Sequence, residues 1–197
     1  MKSTAMALSL LLFLSGQSAG AQEAAAPRVL IETSLGDIIV EVYPDKAPLT
    51  AANFLSYVDK KLYSGASFYR AVRLDNQPDS EFRIEVLQGG MIMNPKAKRL
   101  EAIEHETTET TGLLHQDGVL SMARSQAGTA ASEFFVCLGD QPELDFRGKR
   151  NPDLQGFAAF GKVVQGMDVV RAIHGQPVDG QMLLKPVVFR SVKRLEN

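Results

Sequence analysis

The chain lacks tryptophan and has a single cysteine, Cys137. An intramolecular disulfide needs two thiols, so stability has to come from a hydrophobic core. No indole N–H donor can serve in a binding site either. The chain also has no excess of basic residues, since 21 Lys and Arg stand against 23 Asp and Glu, for a formal net charge of −2. Nucleic-acid binders show a clustered basic face, so we expect no nucleic-acid partner.

Long hydrophobic runs are scarce as well. The apolar run at residues 5–14 is about half of the roughly 20 residues that a membrane-spanning helix needs. Lys2 precedes this run and Ala19-Gly20-Ala21 follows it, which is typical of a secretory signal that is removed from the mature protein. We therefore predict a signal peptide over residues 1–21, Gln22 as the new N-terminus, a location in the periplasm, and no membrane attachment after cleavage. The alternative is an N-terminal membrane anchor.

The rest of the chain is predicted to be a flexible leader, residues 22–27, and one domain, residues 28–197. Apolar spacing predicts two helices, one from an N-cap at Thr50 to about Lys61, and one through Met167 that ends at Gly175. Periodicity alone favours a mainly β domain, either a sandwich or a barrel. The runs rich in β-branched and apolar residues predict eight strands, at residues 28–33, 38–43, 67–72, 83–93, 119–124, 134–138, 158–164 and 187–192.

Other kinds of chemistry find little support in the sequence. Cys137 lies in an apolar run, which favours a small buried hydrophobic side chain over a reactive thiol. The three histidines match no metal-ligand spacing, so we expect loop and capping roles for them and no metal. A serine hydrolase would need Ser121 or Ser132 beside a base and an oxyanion site, and neither serine lies in a Gly-x-Ser-x-Gly turn.

An ordered set of segments carries a resemblance to a known family. The segments are Phe68-Tyr69-Arg70, Gln88-Gly89-Gly90, and residues 118–124, 132–136 and 157–163. Together they resemble the cyclophilin family of peptidyl-prolyl cis/trans isomerases, over about residues 29–192. The resemblance implies a closed eight-stranded antiparallel β-barrel capped by two α-helices, and an activity on Xaa-Pro bonds that needs no cofactor.

Isomerisation of an Xaa-Pro bond requires weakening of the amide resonance, which gives a barrier of roughly 18 to 20 kcal/mol. A guanidinium suits this task because it is permanently charged and presents rigid N–H donors to the proline nitrogen as its lone pair localises. The resemblance assigns this role to Arg70, and it assigns to Gln88 the orientation of that arginine and a hydrogen bond to the substrate backbone. Both residues are therefore predicted to be catalytic.

The resemblance also supplies a set of substrate-binding residues. It implies an apolar floor for the proline ring at Phe68, Val86, Phe135 and Leu144, with Phe135 at its base. The remaining predicted contacts are main-chain groups of Ala123 and Arg124, Glu133 where a glutamine is common, and Phe157 in place of a family histidine.

The chain departs from the common family pattern around this pocket. Residues 74–82 and residues 146–155 are insertions. The family's tryptophan is replaced by Glu143, with Phe146 as a candidate to fill its space. Replacement of the tryptophan and the histidine resembles secreted bacterial members of the family.

Two functions are consistent with these features. The first is an isomerase that assists the folding of secreted proteins, with proline-containing polypeptides as partners and a monomeric state. The second is a noncatalytic peptide-binding or chaperone module on the same barrel. Retention of Phe68, Arg70, Gln88 and Phe135 together favours the isomerase.

Overall fold

The computed structural model describes residues 25–94 and 96–196. The predicted signal peptide and the first residues of the leader lie outside the described residues. Residues 25–27 have no regular secondary structure, and the carbonyl of Pro27 accepts a hydrogen bond from Val42 N at 2.9 Å. Within the described part of the chain, no helix combines the length and the apolar character that crossing a membrane requires.

The strands form one sheet that closes on itself. The order around it is β1-β2-β7-β5-β6-β4-β3-β9, and β1 also pairs with β9, so eight antiparallel strands make a closed barrel. The eight-stranded barrel is therefore confirmed. A two-residue strand, β8, pairs only with β9 outside this ring. The strands are β1 (Arg28–Thr33), β2 (Gly36–Val42), β3 (Ser67–Val72), β4 (Val86–Gly90), β5 (Val119–Met122), β6 (Phe134–Cys137), β7 (Ala158–Gln165), β8 (Val178–Asp179) and β9 (Met182–Leu195).

Two helices of more than one turn pack against the barrel, α1 (Pro48–Asp59) and α3 (Met167–His174), and a single turn, α2 (Thr108–Thr111), lies in the long segment between β4 and β5. The expected N-cap at Thr50 is wrong. Helix α1 begins at Pro48, whose fixed φ suits the first helical position. The carboxylate of Glu106 takes over the capping, because it accepts hydrogen bonds from Leu49 N at 3.1 Å and from Thr50 N at 2.7 Å.

The structure has two hydrophobic clusters. The larger fills the barrel and the space under α1, and aromatic rings dominate its centre. The smaller lies on the outer face of β3, β4 and β6, and we call it the outer cluster. Cys137 belongs to it and is fully buried, which raises the pKa of its thiol and confirms its role as a small apolar side chain. The outer cluster consists of Val72, Ile84, Val86, Phe135, Cys137 and Leu144, with Ala123 and Phe157 partly exposed at its edge.

A β-bulge in β3 decides which side chains reach this outer face. Phe68 pairs with Gly89 of β4, but the next pair is Arg70 with Gln88, so Tyr69 is one extra residue in β3. Without the bulge, Phe68 and Arg70 would point to the same face, because side chains alternate along a strand. With it, Phe68 points into the barrel and packs on Phe134 and Phe189.

Candidate active site

A row of paired residues crosses four strands on the outer face of the barrel. Arg70 of β3 pairs with Gln88 of β4, Gln88 pairs with Phe135 of β6, and Phe135 pairs with Ser121 of β5. Directly opposed residues of antiparallel strands point to the same face, with their Cβ atoms about 5 Å apart. The sheet therefore brings Arg70, Gln88 and Phe135 together at one edge of the outer cluster.

Arg70 is held by amide oxygens on both sides. Its Nη1 donates to Gln88 Oε1 at 2.8 Å, while its Nε and Nη2 donate to Gln181 Oε1 at 3.0 Å and 2.5 Å. Gln181 is itself oriented by a bond from its Nε2 to the carbonyl of Asn76 at 3.0 Å. A guanidinium has five N–H donors, so two donors, one on Nη1 and one on Nη2, are left without an acceptor among the described residues.

Gln88 is in turn oriented by a buried phenol. Gln88 Nε2 donates to the Tyr69 hydroxyl at 2.8 Å, and this hydroxyl donates to Glu133 Oε2 at 2.7 Å. Burial and the negative charge of Glu133 raise the pKa of Tyr69 well above its usual value, so the phenol stays protonated and remains a donor. The network fixes the Gln88 amide with its oxygen toward Arg70.

Glu133 does not present a free carboxylate to a substrate. Its Oε1 accepts from Met91 N at 2.8 Å and from the Ser132 hydroxyl at 2.9 Å, while its Oε2 accepts from Tyr69. The structure therefore gives Glu133 a supporting position behind Gln88, which differs from the substrate contact expected from the sequence.

The outer cluster brings together three of the four residues expected on the floor, Val86, Phe135 and Leu144. The fourth, Phe68, is fully buried in the barrel interior and is not part of this cluster. The bulge at Tyr69 is the reason, since it turns Phe68 away from the face that carries Arg70. Ile84 joins the cluster instead, and alternation with Val86 could have identified it from the sequence.

The partly buried rim of the cluster is formed by Ala123 and Phe157. The Phe157 ring packs edge-on against Phe135, with 5.4 Å between the ring centroids. The guanidinium of Arg124 lies 5.2 Å above the Phe157 ring. Phe146, the candidate for the missing tryptophan, is not part of the cluster, and its ring lies 5.4 Å from the guanidinium of Arg147.

The N–H groups of the Arg124 side chain bond to Asp153 and Gly156. The side chain donates to the carbonyl of Gly156 at 2.8 Å and to both carboxylate oxygens of Asp153, at 2.7 Å and 3.0 Å. These bonds lower the pKa of Asp153 to about 2. Only 1% of the Arg124 side chain is exposed, so the main chain is what this residue can offer to a peptide.

Behind Phe135 the structure contains a buried hydrogen-bonded series that the sequence did not predict. His115 Nδ1 lies 2.7 Å from Asp145 Oδ1 and His115 Nε2 lies 2.9 Å from the Ser121 hydroxyl. A serine, a base and a carboxylate are thus adjacent, but Ser121 is fully buried and cannot meet a substrate. The His115 ring stacks on Phe135 with centroids 6.1 Å apart, so the series supports the Phe135 ring, and His115 itself lies in the loop before β5.

Fold and site together define a class: a closed β-barrel whose outer face carries an apolar cluster with an anchored guanidinium at its edge. Comparison with known proteins identifies the family, because the model for cyclophilin type peptidyl-prolyl cis-trans isomerases matches residues 28–194. The chain belongs to this family and is a peptidyl-prolyl cis-trans isomerase.

Relatives and solved structures agree with this membership. The chain is 36% identical to a peptidyl-prolyl cis-trans isomerase of Acinetobacter baylyi, over 91% of this chain and 89% of that protein. It is 37% identical to peptidyl-prolyl cis-trans isomerase B of Escherichia coli, over 75% of this chain and 84% of that protein. A cyclophilin of Cryptosporidium parvum, solved in the presence of the dipeptide Ala-Pro, has the same fold, with a TM-score of 0.69, 21% identity, and coverage of 86% of this chain and 99% of that chain.

Proposed function

We propose that the protein isomerises Xaa-Pro bonds of secreted polypeptides in the periplasm, with Arg70 as the catalytic donor and Gln88 as the residue that orients it and binds the substrate backbone. The observation that carries this proposal is the fixation of the Arg70 guanidinium between Gln88 and Gln181, at the edge of the outer cluster. Two of its N–H groups are left for a ligand.

The mechanism needs only placement and one charged donor. The proline ring packs on Phe135, with Val86 and Leu144 below, and the Arg70 N–H approaches the proline nitrogen. In the planar amide that nitrogen is a poor acceptor, and in the twisted amide its lone pair is localised. The hydrogen bond is therefore stronger in the transition state than in either planar form, and only such an interaction accelerates the reaction. Each 1.36 kcal/mol of this difference gives about a tenfold rate.

The strand order supports a direction for the bound peptide. Ala123 follows β5, Phe135 lies on β6, Gln88 on β4 and Arg70 on β3, in that order across the sheet. With the residue before the proline on the main chain of Ala123 and Arg124, and the proline over Phe135, the residues after the proline run toward Arg70. Phe157 forms the rim on the Ala123 side.

The proposed location rests on the signal pattern at residues 1–21. Expression in a bacterium with an intact secretory pathway should give soluble periplasmic protein that begins at Gln22. N-terminal sequencing and cell fractionation test this. Membrane-bound protein that retains Met1 would overturn the location and favour the anchor.

A protease-coupled assay of proline turnover on the purified protein tests the activity with short Xaa-Pro peptides. We expect acceleration over the spontaneous rate, with no added metal or cofactor. The noncatalytic alternative predicts binding without acceleration. The anchored Arg70 favours catalysis, because a module that only bound proline would need the apolar floor but no fixed guanidinium.

A further inference from the structure

The two inserted segments, residues 74–82 and 146–155, face each other across a cleft of about 520 Å³. The cleft adjoins the candidate active site, because Gln181, which holds Arg70, also lines it. The other lining residues that matter here are Asn76, Asp79, Ser80, Arg150 and Asn151.

The cleft contains a half-buried cation with only neutral partners. Arg150 Nη1 donates to the Ser80 hydroxyl at 2.6 Å and to the carbonyl of Phe82 at 2.9 Å. Its Nε and Nη2 have no acceptor, and no carboxylate lies within ion-pair distance of it, among the described residues. Asp79 lines the same cleft but makes no ion pair with Arg150. By contrast, Asp153 of the inserted segment 146–155 forms an ion pair with Arg124, which follows β5.

A second cation adds to the charge of this region. Arg70 is held by Gln181, which lines the cleft together with Arg150. Burial, and to a smaller extent the positive charge of Arg70, lowers the pKa of Arg150. Among the described residues neither guanidinium is ion-paired, although Asp79 lines the same cleft, so both cations keep an uncompensated charge that would attract an anion. The Nδ2 of Asn151 is buried without a hydrogen-bond partner, which adds an amide donor that could turn toward such an anion.

The position of the cleft relative to the pocket limits which part of a substrate can reach it. Neighbouring strands lie about 4.8 Å apart, so the turn with Gln181 is about 10 Å from Gln88 of β4 and about 14 Å from Phe135 of β6. An extended peptide covers these distances in about three to four residues, and the length of an acidic side chain replaces about one of them.

We propose that the cleft binds a carboxylate of the substrate, from an aspartate or glutamate side chain two or three residues after the proline, and that Arg150 is the residue that selects it. The inference rests on the proposed function, because it takes the peptide direction from it. Arg150 reaches the carboxylate through its Nε and Nη2, in the paired geometry that a guanidinium offers to two oxygens.

The test uses amidated peptides with one proline, identical except for glutamate or glutamine at the first, second or third position after it. Dissociation constants are measured by NMR titration, and cis/trans exchange in the same samples. We expect glutamate at the second or third position to bind about three- to tenfold more tightly than glutamine, and the difference to shrink in 0.5 M salt, which screens exposed charges. A glutamine peptide with a free terminal carboxylate at the third position is a further arm.

Variants assign the effect to one side chain. Arg150→Gln should abolish the difference between glutamate and glutamine peptides, and Arg150→Lys should keep part of it. Arg147→Gln is the matched control, since Arg147 lies on the same segment with a side chain that is 78% exposed and does not line the cleft. It should keep the full difference.

Equal affinity for the glutamate and glutamine peptides would overturn the inference, as would a difference that survives Arg150→Gln. If only the free terminal carboxylate made the peptide bind more tightly, the assignment of the ligand to a glutamate or aspartate side chain of the substrate would be overturned. A lack of accelerated exchange in every peptide would instead contradict the proposed function, and the titrations would still decide whether the cleft prefers glutamate.

Discussion

At the scale of single residues, Arg70 owes its position to the extra residue Tyr69. The bulge turns Arg70 outward while Phe68 stays inside, and the displaced Tyr69 side chain then holds the amide that holds Arg70. A guanidinium fixed in this way loses little conformational entropy when it meets the substrate. The bulge at Tyr69 thus explains both where Arg70 lies and why its guanidinium is held in place.

Gln181 is expected to be a positioning residue for Arg70. The Gln181→Ala change removes two of the three hydrogen bonds that the Arg70 guanidinium makes to the chain. We therefore expect kcat to fall about tenfold. KM should change less, because the outer cluster is untouched. Steady-state kinetics with one Xaa-Pro peptide measures this. Gln126→Ala, at an exposed position, is the control and should behave as wild type. A kcat unchanged by Gln181→Ala would show that Gln88 alone orients Arg70.

Most of the site could be predicted from local sequence, and the misses have physical reasons. Arg70, Gln88 and Phe135 stand in recognisable segments, and the sheet brings them together. The resemblance puts Phe68 on the floor by its place in the Phe68-Tyr69-Arg70 segment, but the bulge at Tyr69 turns it inward, and a bulge depends on pairing between strands, which one segment does not reveal. Gln181 gives no local signal, since only the pairing of β3 with β9 brings it beside Arg70.

At the scale of elements, the end of β4 packs closely against Glu133, the residue just before β6. Gly90 has a φ of +144°, and the Glu133 carboxylate occupies the space where a Cβ would stand. The same carboxylate accepts from Met91 N at 2.8 Å. The close approach joins the strand that carries Gln88 to the strand that carries Phe135.

Gly90→Ala should destabilise the protein by about 2 kcal/mol or more, through an unfavourable φ and a clash with Glu133. Chemical denaturation, read as the free energy of unfolding, measures this. Gly128→Ala is the matched control, because Gly128 also has a positive φ, +81°, but nothing lies within 4 Å of the added carbon. Gly128→Ala should lower the free energy of unfolding by about 1 kcal/mol, from backbone strain alone. Equal losses in the two variants would mean that the Glu133 contact is unimportant.

At the scale of the whole molecule, the sequence predicted the strands better than their closure. Alternating segments were found for all eight barrel strands, but periodicity alone allowed a sandwich, because the pairing of β1 with β9 joins the two ends of the domain. Strand β9 spans Met182–Leu195, well beyond the predicted residues 187–192, since along its length it pairs in succession with β8, β3 and β1. Single-turn α2 was missed because four residues show no periodicity.

Stability should depend on pH through His174, whose Nε2 donates to the carbonyl of Val72 at 2.9 Å. Burial lowers the pKa of His174 below its usual value near 6.5, so below that pH the unfolded chain binds a proton that the folded chain resists. The stabilising contribution is complete above pH 6.5 and is lost as the pH falls toward the folded pKa. Denaturation at pH 7 and pH 5 should therefore show a smaller decrease for His174→Gln than for wild type. An equal decrease in both would contradict this assignment.

The central claim is that the Arg70 guanidinium catalyses isomerisation by acting on the twisted amide. NMR exchange spectroscopy on one Xaa-Pro peptide tests it most directly, because it yields the dissociation constant and the exchange rate on the enzyme together. For Arg70→Ala we predict an exchange rate at least about a hundredfold lower, equivalent to about 2.7 kcal/mol, with affinity reduced less than tenfold because Val86, Phe135 and Leu144 remain. An Arg70→Ala protein with wild-type exchange, or one whose exchange falls only as much as its affinity, would contradict the claim.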